Sequence, residues 1–409
     1  MLRKRNEESI VEKLAIDGGT PVRKNALQYG HQFIDEEDVK AVIGILNSNN
    51  LTCGPTIDMA EKKLCELTGA KYAVLVSNGT AALHLACMAA GISDGDEVIT
   101  TPITFAASAN CALYCGGRPV FADIDPYTYN ISPSEIDKNI TPNTKAVVAV
   151  DFTGQVVDLD SIKKICEEHC LCLIEDASHS IGTKYNGRYV GSIADMTTFS
   201  FHPVKTVTSG EGGAVLTDSK EYYNRLKLLR GHGITRDESM MEGISQGGWY
   251  YEQIGLGYNY RITDIQAALL CSQLEKLQDF ARRRKEIVTE YNEAFRDIPQ
   301  LIVQQEIEQS DTVRHLYIIQ LVLEQLKVGR KEVYDALEKE GIRCNVHYIP
   351  VYYFPYYQKL GYKKGLCPKA ENLYERILTL PLFYSMSDED VKDVIRAVKK
   401  VIDAYKIRY

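Results

Sequence analysis

The sequence contains no uninterrupted apolar run of the ~18 residues that a membrane-spanning helix needs. It also lacks an excess of positive charge, a low-complexity tract and an internal repeat. The formal net charge is -8. A chain whose main task is binding nucleic acid carries a basic face, so no nucleic-acid partner is expected, although a local basic pocket for a phosphate or a nucleotide stays open. The basic start Arg3, Lys4 and Arg5 runs into Glu7, Glu8, Glu12 and Lys13 rather than the apolar stretch of a secretory signal. A cytoplasmic protein with no membrane partner is therefore expected.

Cysteine does not form a disulfide or metal pattern. The 11 cysteines are odd in number and follow no repeating spacing. Cys87, Cys111 and Cys172 sit in apolar runs, as reduced buried thiols do. Cys166, His169, Cys170 and Cys172 lie close in sequence. Cys166 is expected on a helix and Cys172 in a strand, so their side chains diverge, and structural zinc prefers Cys-x2-Cys knuckles. No metal is expected. The two common nucleotide motifs, the P-loop and G-x-G-x-x-G, are also missing, which argues against a nucleotide-binding oxidoreductase or epimerase.

What is there is an ordinary globular composition, 45% apolar and 25% charged. The 409 residues are enough for two or three domains. Short apolar runs alternate with helical periods between about Lys71 and Asp218. Strands are expected at 71–76, 97–100, 118–124, 145–150, 171–175, 196–201 and 213–216. Runs such as Ala-Val-Val-Ala-Val at 146–150 lack alternation, so both faces are buried, as in a mainly parallel sheet covered by helices. After Asp264 the pattern turns helical, with one long helix expected over 265–284. A strand at 316–323, a helix at 331–340 and a last helix from Asp388 follow, the last capped by Ser387. This change of pattern puts a boundary near residue 275. It separates an N-terminal arm plus larger unit (1–275) from a smaller α+β unit (276–409).

In such sheets ligands bind beyond the carboxyl ends of the strands. Ser77-Asn78-Gly79-Thr80 stands between a strand and a helix and reads as an anion site or as a simple cap by Ser or Thr. Glu175-Asp176 closes a strand, where a carboxylate holds a metal, a ribose or a protonated ring nitrogen, or merely turns the chain; Ser178 and His179 follow. Lys205 comes after the strand 196–201. It reads either as a solvated loop lysine or as a desolvated amine able to form an imine. The Gly210–Gly213 glycines read as a turn, Arg261 as a helix entry, and His347 as a structural histidine. Together the set meets what pyridoxal phosphate asks of a protein, namely a phosphate site, a carboxylate for the ring nitrogen, a lysine for the aldehyde and a flat neighbour such as Phe105.

In order, Ser77-Asn78-Gly79-Thr80, Thr101-Pro102-Ile103-Thr104-Phe105, Glu175-Asp176-Ala177-Ser178-His179, Ser200-Phe201-x3-Lys205 and Gly257-Tyr258-Asn259-Tyr260-Arg261 resemble the sugar aminotransferases of the DegT/DnrJ/EryC1/StrS family. The likeness runs from about Ala15 to the C-terminus. It implies the pyridoxal-phosphate fold type I, with a mainly parallel seven-stranded sheet flanked by helices and a smaller α+β C-terminal domain. It further implies a homodimer with shared sites. By that likeness Lys205 is the Schiff-base lysine and Asp176 pairs with the ring nitrogen. His179 lies near the ring's 3-hydroxyl and Phe105 on the ring. Gly79, Thr80 and Ser200 hold the phosphate, and Asn259 reaches it from the neighbouring subunit.

His202-Pro203-Val204-Lys205, Trp249-Tyr250-Tyr251-Glu252 and Val346-His347-Tyr348-Ile349-Pro350-Val351 are similar to the pseudaminic-acid branch of that family. That branch aminates a UDP-linked 4-keto-6-deoxy-N-acetyl-hexosamine at C4, with L-glutamate as donor. The closer likeness puts Tyr29, Leu51, Thr52, Cys53, Gly54, His347, Tyr348, Ile349 and Pro350 at the border of the sugar nucleotide. The phosphate segment Ser77–Ala81 departs from the Asn-Ser-Ala-Thr-Ser common in that branch, and the leader Ala15–Arg23 is similar to other branches. A dTDP- or GDP-linked 4-keto or 3-keto sugar, as in perosamine-type enzymes, is therefore the alternative substrate.

Overall fold

The computed structural model describes residues 12–407; the basic Arg3–Arg5 and acidic Glu7 and Glu8 lie outside the described residues. Seven strands form the main sheet: β1 (Tyr72–Val76), β2 (Glu97–Thr100), β3 (Arg118–Phe121), β4 (Thr144–Val150), β5 (Cys172–Asp176), β6 (Met196–Ser200) and β7 (Gly213–Thr217). Their order is β1-β7-β6-β5-β4-β2-β3. Neighbours are parallel from β6 through β3, and β7 runs against both β6 and β1. The parallel strands read as continuous apolar runs because successive residues feed two different cores. Leu75, Ile99, Val147 and Leu173 point to one face; Val74, Val98, Val148 and Ile174 point to the other. Each such side chain contributes about 1.5–3 kcal/mol when fully buried.

Helices α1 (Glu36–Leu46) and α2 (Pro55–Thr68) lead into β1, and α3 (Gly79–Ala89) and α4 (Ala107–Tyr114) leave β1 and β2. The core beneath α3 and α4 is built on Ala81, Ala82, Leu85, Ala86 and Ala112, residues small enough for close helix–sheet contact. Cys166 is buried in one core and Cys172 packs against the other, so the sheet separates the two cysteines.

The expected long helix is two. Helix α5 (Asp264–Glu275) is followed by α6 (Leu277–Phe295), with Lys276 between them. No Gly or Pro marks the break. Lys276 is instead pinned by ion pairs to Asp35 (2.6 Å) and Asp38 (2.7 Å), contacts far away in sequence. Helix α6 then bridges two cores: Leu277 and Phe280 belong to the first, while Ile287, Val288, Tyr291 and Phe295 belong to a second. That second core is closed by β8 (Leu301–Val303), β9 (Tyr317–Leu321), β10 (Ile377–Leu380), α7 (Arg330–Lys339) and α8 (Asp388–Tyr405). Ser387 caps α8 in a reciprocal box with Asp390. Among the described residues, no helix is long and apolar enough to cross a membrane.

The N-terminal arm joins the second core, through Leu14 and Leu27. Glu340 ties it down: its carboxylate accepts the Ala15 N–H (2.8 Å) and the Val22 N–H (3.0 Å). Lys400 neutralises Glu340 at 3.0 Å, with side chains 3% and 0% exposed. Removing one member of a buried pair strands the other charge at a cost of about 3–5 kcal/mol. Lys400→Met is therefore expected to lower the unfolding free energy in urea by about that amount. It should also raise hydrogen exchange first in residues 14–27. Equal exchange across the chain would reject this role for the pair.

Candidate active site

The carboxyl ends of β1, β5 and β6 open into one cavity of about 890 Å³. On one side stands the start of α3. Asn78, not Ser77 or Thr80, is the cap: its Oδ1 accepts the Ala81 N–H at 2.8 Å. Gly79 has no room for a side chain, since a Cβ there would sit 2.8 Å from the Cβ of Ser200. Ser200 from β6 is thus pressed against a helix N-terminus, and Gly79, Thr80 and Ser200 share one stretch of wall. Free N–H groups, the helix dipole and two hydroxyls suit an anion.

At the floor, Asp176 ends β5 and is buried. Ser108 Oγ donates to its Oδ2 (2.6 Å), and Ser178 donates to Oδ1 from its hydroxyl (2.6 Å) and its N–H (3.2 Å). Lys205 sits in the turn after β6, where its N–H donates to His202 O (2.9 Å). Its side chain is half-buried, with its free surface toward the cavity. Desolvation drives its amine down to about 8, outweighing the Asp176 charge that raises it.

His179, Tyr348 and His347 line the next wall. His179 Nε2 lies 3.3 Å from Tyr348 Oη, and its Nδ1 has no partner among the described residues. Burial, then the Lys205 charge, holds His179 well below the usual imidazole range and His347 at about 4, so both are neutral. His347 Nδ1 pairs with Thr379 Oγ1 (2.9 Å), and its ring lies 5.3 Å from Tyr29. Phe105 lines the mouth, 63% exposed, with its ring 6.5 Å from Tyr348.

The cavity therefore gathers Tyr29, Gly79, Thr80, Phe105, Asp176, His179, Ser200, Lys205, His347 and Tyr348. It does not gather Leu51, Thr52, Cys53, Gly54, Asn259, Ile349 or Pro350. Asp264 holds the first group away from the wall: its carboxylate accepts the Gly54 N–H (2.8 Å) and its N–H donates to Leu51 O (3.0 Å). Asn259 pairs with Gly231 across an isolated bridge. Ile349 is exposed, and Pro350 is buried beside the turn to Tyr353.

Sequence reasoning gave no role to Ser108, Thr104 or His315. Thr104 and Ser108 are four apart at a helix start and 2.8 Å apart in space, a spacing that follows β2 and was there to be used. His315 carried no local signal. Its ring comes within 4.7 Å of His179 only because its N–H donates to Thr153 O (2.8 Å).

The donor set fits pyridoxal phosphate: an anion-accepting helix start, a buried carboxylate and a lysine that sheds its proton easily, all lining one cavity. Residues 32–399 match the DegT/DnrJ/EryC1/StrS aminotransferase family. The spore coat polysaccharide biosynthesis protein SpsC of Bacillus subtilis is 43% identical over 93% of this chain and 98% of its own. A UDP-4-amino-4,6-dideoxy-N-acetyl-beta-L-altrosamine transaminase of Campylobacter jejuni is 37% identical over 94% of this chain and 99% of its own. Among solved structures, Helicobacter pylori PseC, an aminotransferase involved in the biosynthesis of pseudoaminic acid, is 34% identical. It superposes with a TM-score of 0.86 over 93% of this chain and 100% of its own. The chain belongs to the DegT/DnrJ/EryC1/StrS aminotransferase family, and it is a pyridoxal-phosphate-dependent aminotransferase of fold type I.

Proposed function

We propose that the chain moves an amino group from L-glutamate to C4 of a nucleotide-linked 4-keto-6-deoxy sugar, UDP-2-acetamido-2,6-dideoxy-beta-L-arabino-hex-4-ulose, in pseudaminic acid biosynthesis in the cytoplasm. The observation that carries this is the placement of His347 and Tyr348 in the Lys205 cavity, in a chain 37% identical to the altrosamine transaminase along nearly its whole length. The alternative substrate is a dTDP- or GDP-linked 4-keto or 3-keto sugar, which the departures at Ser77–Ala81 and Ala15–Arg23 from the pseudaminic-acid branch favour.

In this proposal Lys205 holds the cofactor's aldehyde, and Asp176 keeps the ring nitrogen protonated. Gly79, Thr80 and Ser200 take its phosphate, and His179 faces its 3-hydroxyl. Phe105 covers its ring. When bound, pyridoxal phosphate supplies an electron sink for the carbon that gives up its proton. Lys205 Nζ would take up the proton released there and hand it back on the far side of the imine nitrogen, a task suited to an amine at about 8. The same lysine repeats the transfer in reverse on the keto sugar. Ser108 and Ser178 hold the Asp176 carboxylate still while the ring charge changes. Tyr29, His347 and Tyr348 border the sugar.

The proposed working unit is a homodimer. Leu51–Gly54 and Asn259 stand off their own cavity, the first on the start of α5 through the Thr52–Thr263 bridge and the second on Gly231. That is where residues serving a second copy's site would stand, with Asn259 toward its phosphate and Ile349 and Pro350 at the sugar's outer edge.

A panel of UDP-, dTDP- and GDP-linked 4-keto sugars with L-glutamate tests the substrate. Amination of the UDP sugar is expected, and turnover of only the dTDP or GDP sugars rejects the assignment. Lys205→Ala should lower turnover by at least about 10⁴-fold and remove the yellow colour. Borohydride reduction of the native protein should leave the cofactor on the Lys205 peptide.

The lysine also leaves a mark on stability. Its folded pKa of about 8 lies below the ordinary 10.5, so the unfolded chain binds this proton more tightly. The cost to folding is full below about pH 8 and fades as pH rises toward 10.5. Cofactor-free Lys205→Met is therefore expected to melt higher than wild type at about pH 7, with the gain shrinking by about pH 10. A gain independent of pH would show that the lysine is not desolvated.

A further inference from the structure

Two carboxyl groups behind Asp176 have no part in the proposed reaction. Asp151 follows β4 and Glu175 precedes Asp176 on β5, and both are fully buried. Successive strand residues face opposite sides. Asp176 turns toward Ser108, and Glu175 turns with Leu173 toward the other core. Ala149 is the register partner of Glu175, and Asp151 follows two residues later with its carboxylate on Val157 of that same core, so the two carboxyl groups stand at adjacent strand ends on one side of the sheet.

Their donors are few. Asp151 accepts from Ser180 Oγ (2.5 Å) and the Val157 N–H (3.1 Å). Glu175 Oε2 accepts from Thr197 Oγ1 (2.8 Å), and Glu175 Oε1 has no donor among the described residues. Two ionised carboxylates are acceptors only, so their contact is a hydrogen bond only when one of them carries a proton. Each also feels a like charge: Glu175 acts on Asp151, and Asp176 acts on Glu175. Burial first, then the Glu175 charge, holds Asp151 well above the usual carboxylate range, and burial lifts Glu175 to about 7 against the hydrogen bonds of Thr197 and Asp151 that lower it.

The backbone links the pair to the site. Asp151 N–H donates to Asp176 O (3.1 Å), and Val150 and Asp176 are register partners. Through Ser180, Asp151 also holds the turn that carries Ser178 and His179.

We propose that Asp151 and Glu175 hold one proton and one negative charge between them and serve as a positioning pair for Asp176. The proton makes the β4–β5 contact attractive. The remaining charge lies behind the carboxylate assigned to the ring nitrogen and strengthens that nitrogen's hold on its proton. This rests on the reading of Asp176 given above.

Infrared spectra of the holoenzyme at neutral pH test the shared proton. Wild type should show the carbonyl stretch of an un-ionised buried carboxylic acid, shifted by deuteration. Glu175→Gln and Asp151→Asn should each lose it, because the amide then supplies the donor and the partner ionises. Absence of the band in wild type, or its survival in both variants, overturns the proposal. The wild-type band needs no variant, so a misfolded variant does not remove the test.

The pH midpoint of the bound cofactor's absorbance tests the positioning role. Each single amide keeps one charge and should leave the midpoint in place. The double variant Asp151→Asn/Glu175→Gln removes the charge and should lower the midpoint by about one pH unit. A merely structural pair would lower the melting temperature and leave the midpoint unmoved in all three, which overturns the positioning role. A protein without cofactor absorbance sinks the Asp176 reading instead, and the infrared result then still decides the shared proton.

Discussion

An amine easily stripped of its proton and a carboxylate that accepts three hydrogen bonds make opposite demands on one small volume. Lys205 needs to be dry, and Asp176 needs donors. The fold meets both at the carboxyl ends of two adjacent parallel strands. Crowding by the pocket walls lowers the lysine to about 8. Three donor contacts from Ser108 and Ser178 support the carboxylate. Parallel β5 and β6 put the two residues on the same rim, and the two-sided burial of those strands makes the rim dry.

The same dryness fixes what else can stand there. A second buried cation would depress Lys205 further and compete for Asp176. The neighbouring wall carries His179, His315 and His347 instead, all kept neutral chiefly by burial. A neutral imidazole donates from one nitrogen and accepts at the other. It can orient a hydroxyl or a carbonyl without adding charge beside the lysine.

The sheet was legible because a parallel strand buried on both faces reads as an unbroken apolar run, and all seven strands fell within a few residues of expectation. Asp176 and Lys205 were legible for the same reason, as polar residues just where such runs stop. What the sequence hid depends on distant contacts. The break at Lys276 answers to Asp35 and Asp38, and His315 reaches the cavity through Thr153. The cap at Asn78 was misread as Ser or Thr, since neighbouring cap formers differ only in which side chain points back at the helix.

The arm and the second core bear on the chemistry through geometry. Tyr29 and His347 face each other at 5.3 Å, one from the arm and one from the segment after α7. Tyr29 O accepts the Leu382 N–H (3.0 Å), and His347 is fixed by Thr379 of β10. The wall proposed to face the sugar is therefore anchored in the second core, while Lys205, Asp176 and the start of α3 are anchored in the sheet. In the proposed reading, the sugar contacts and the cofactor contacts are thus packed on different cores. A substitution in the second core can shift the sugar wall without touching the lysine, and helix α6, shared by both cores, sets the distance between them.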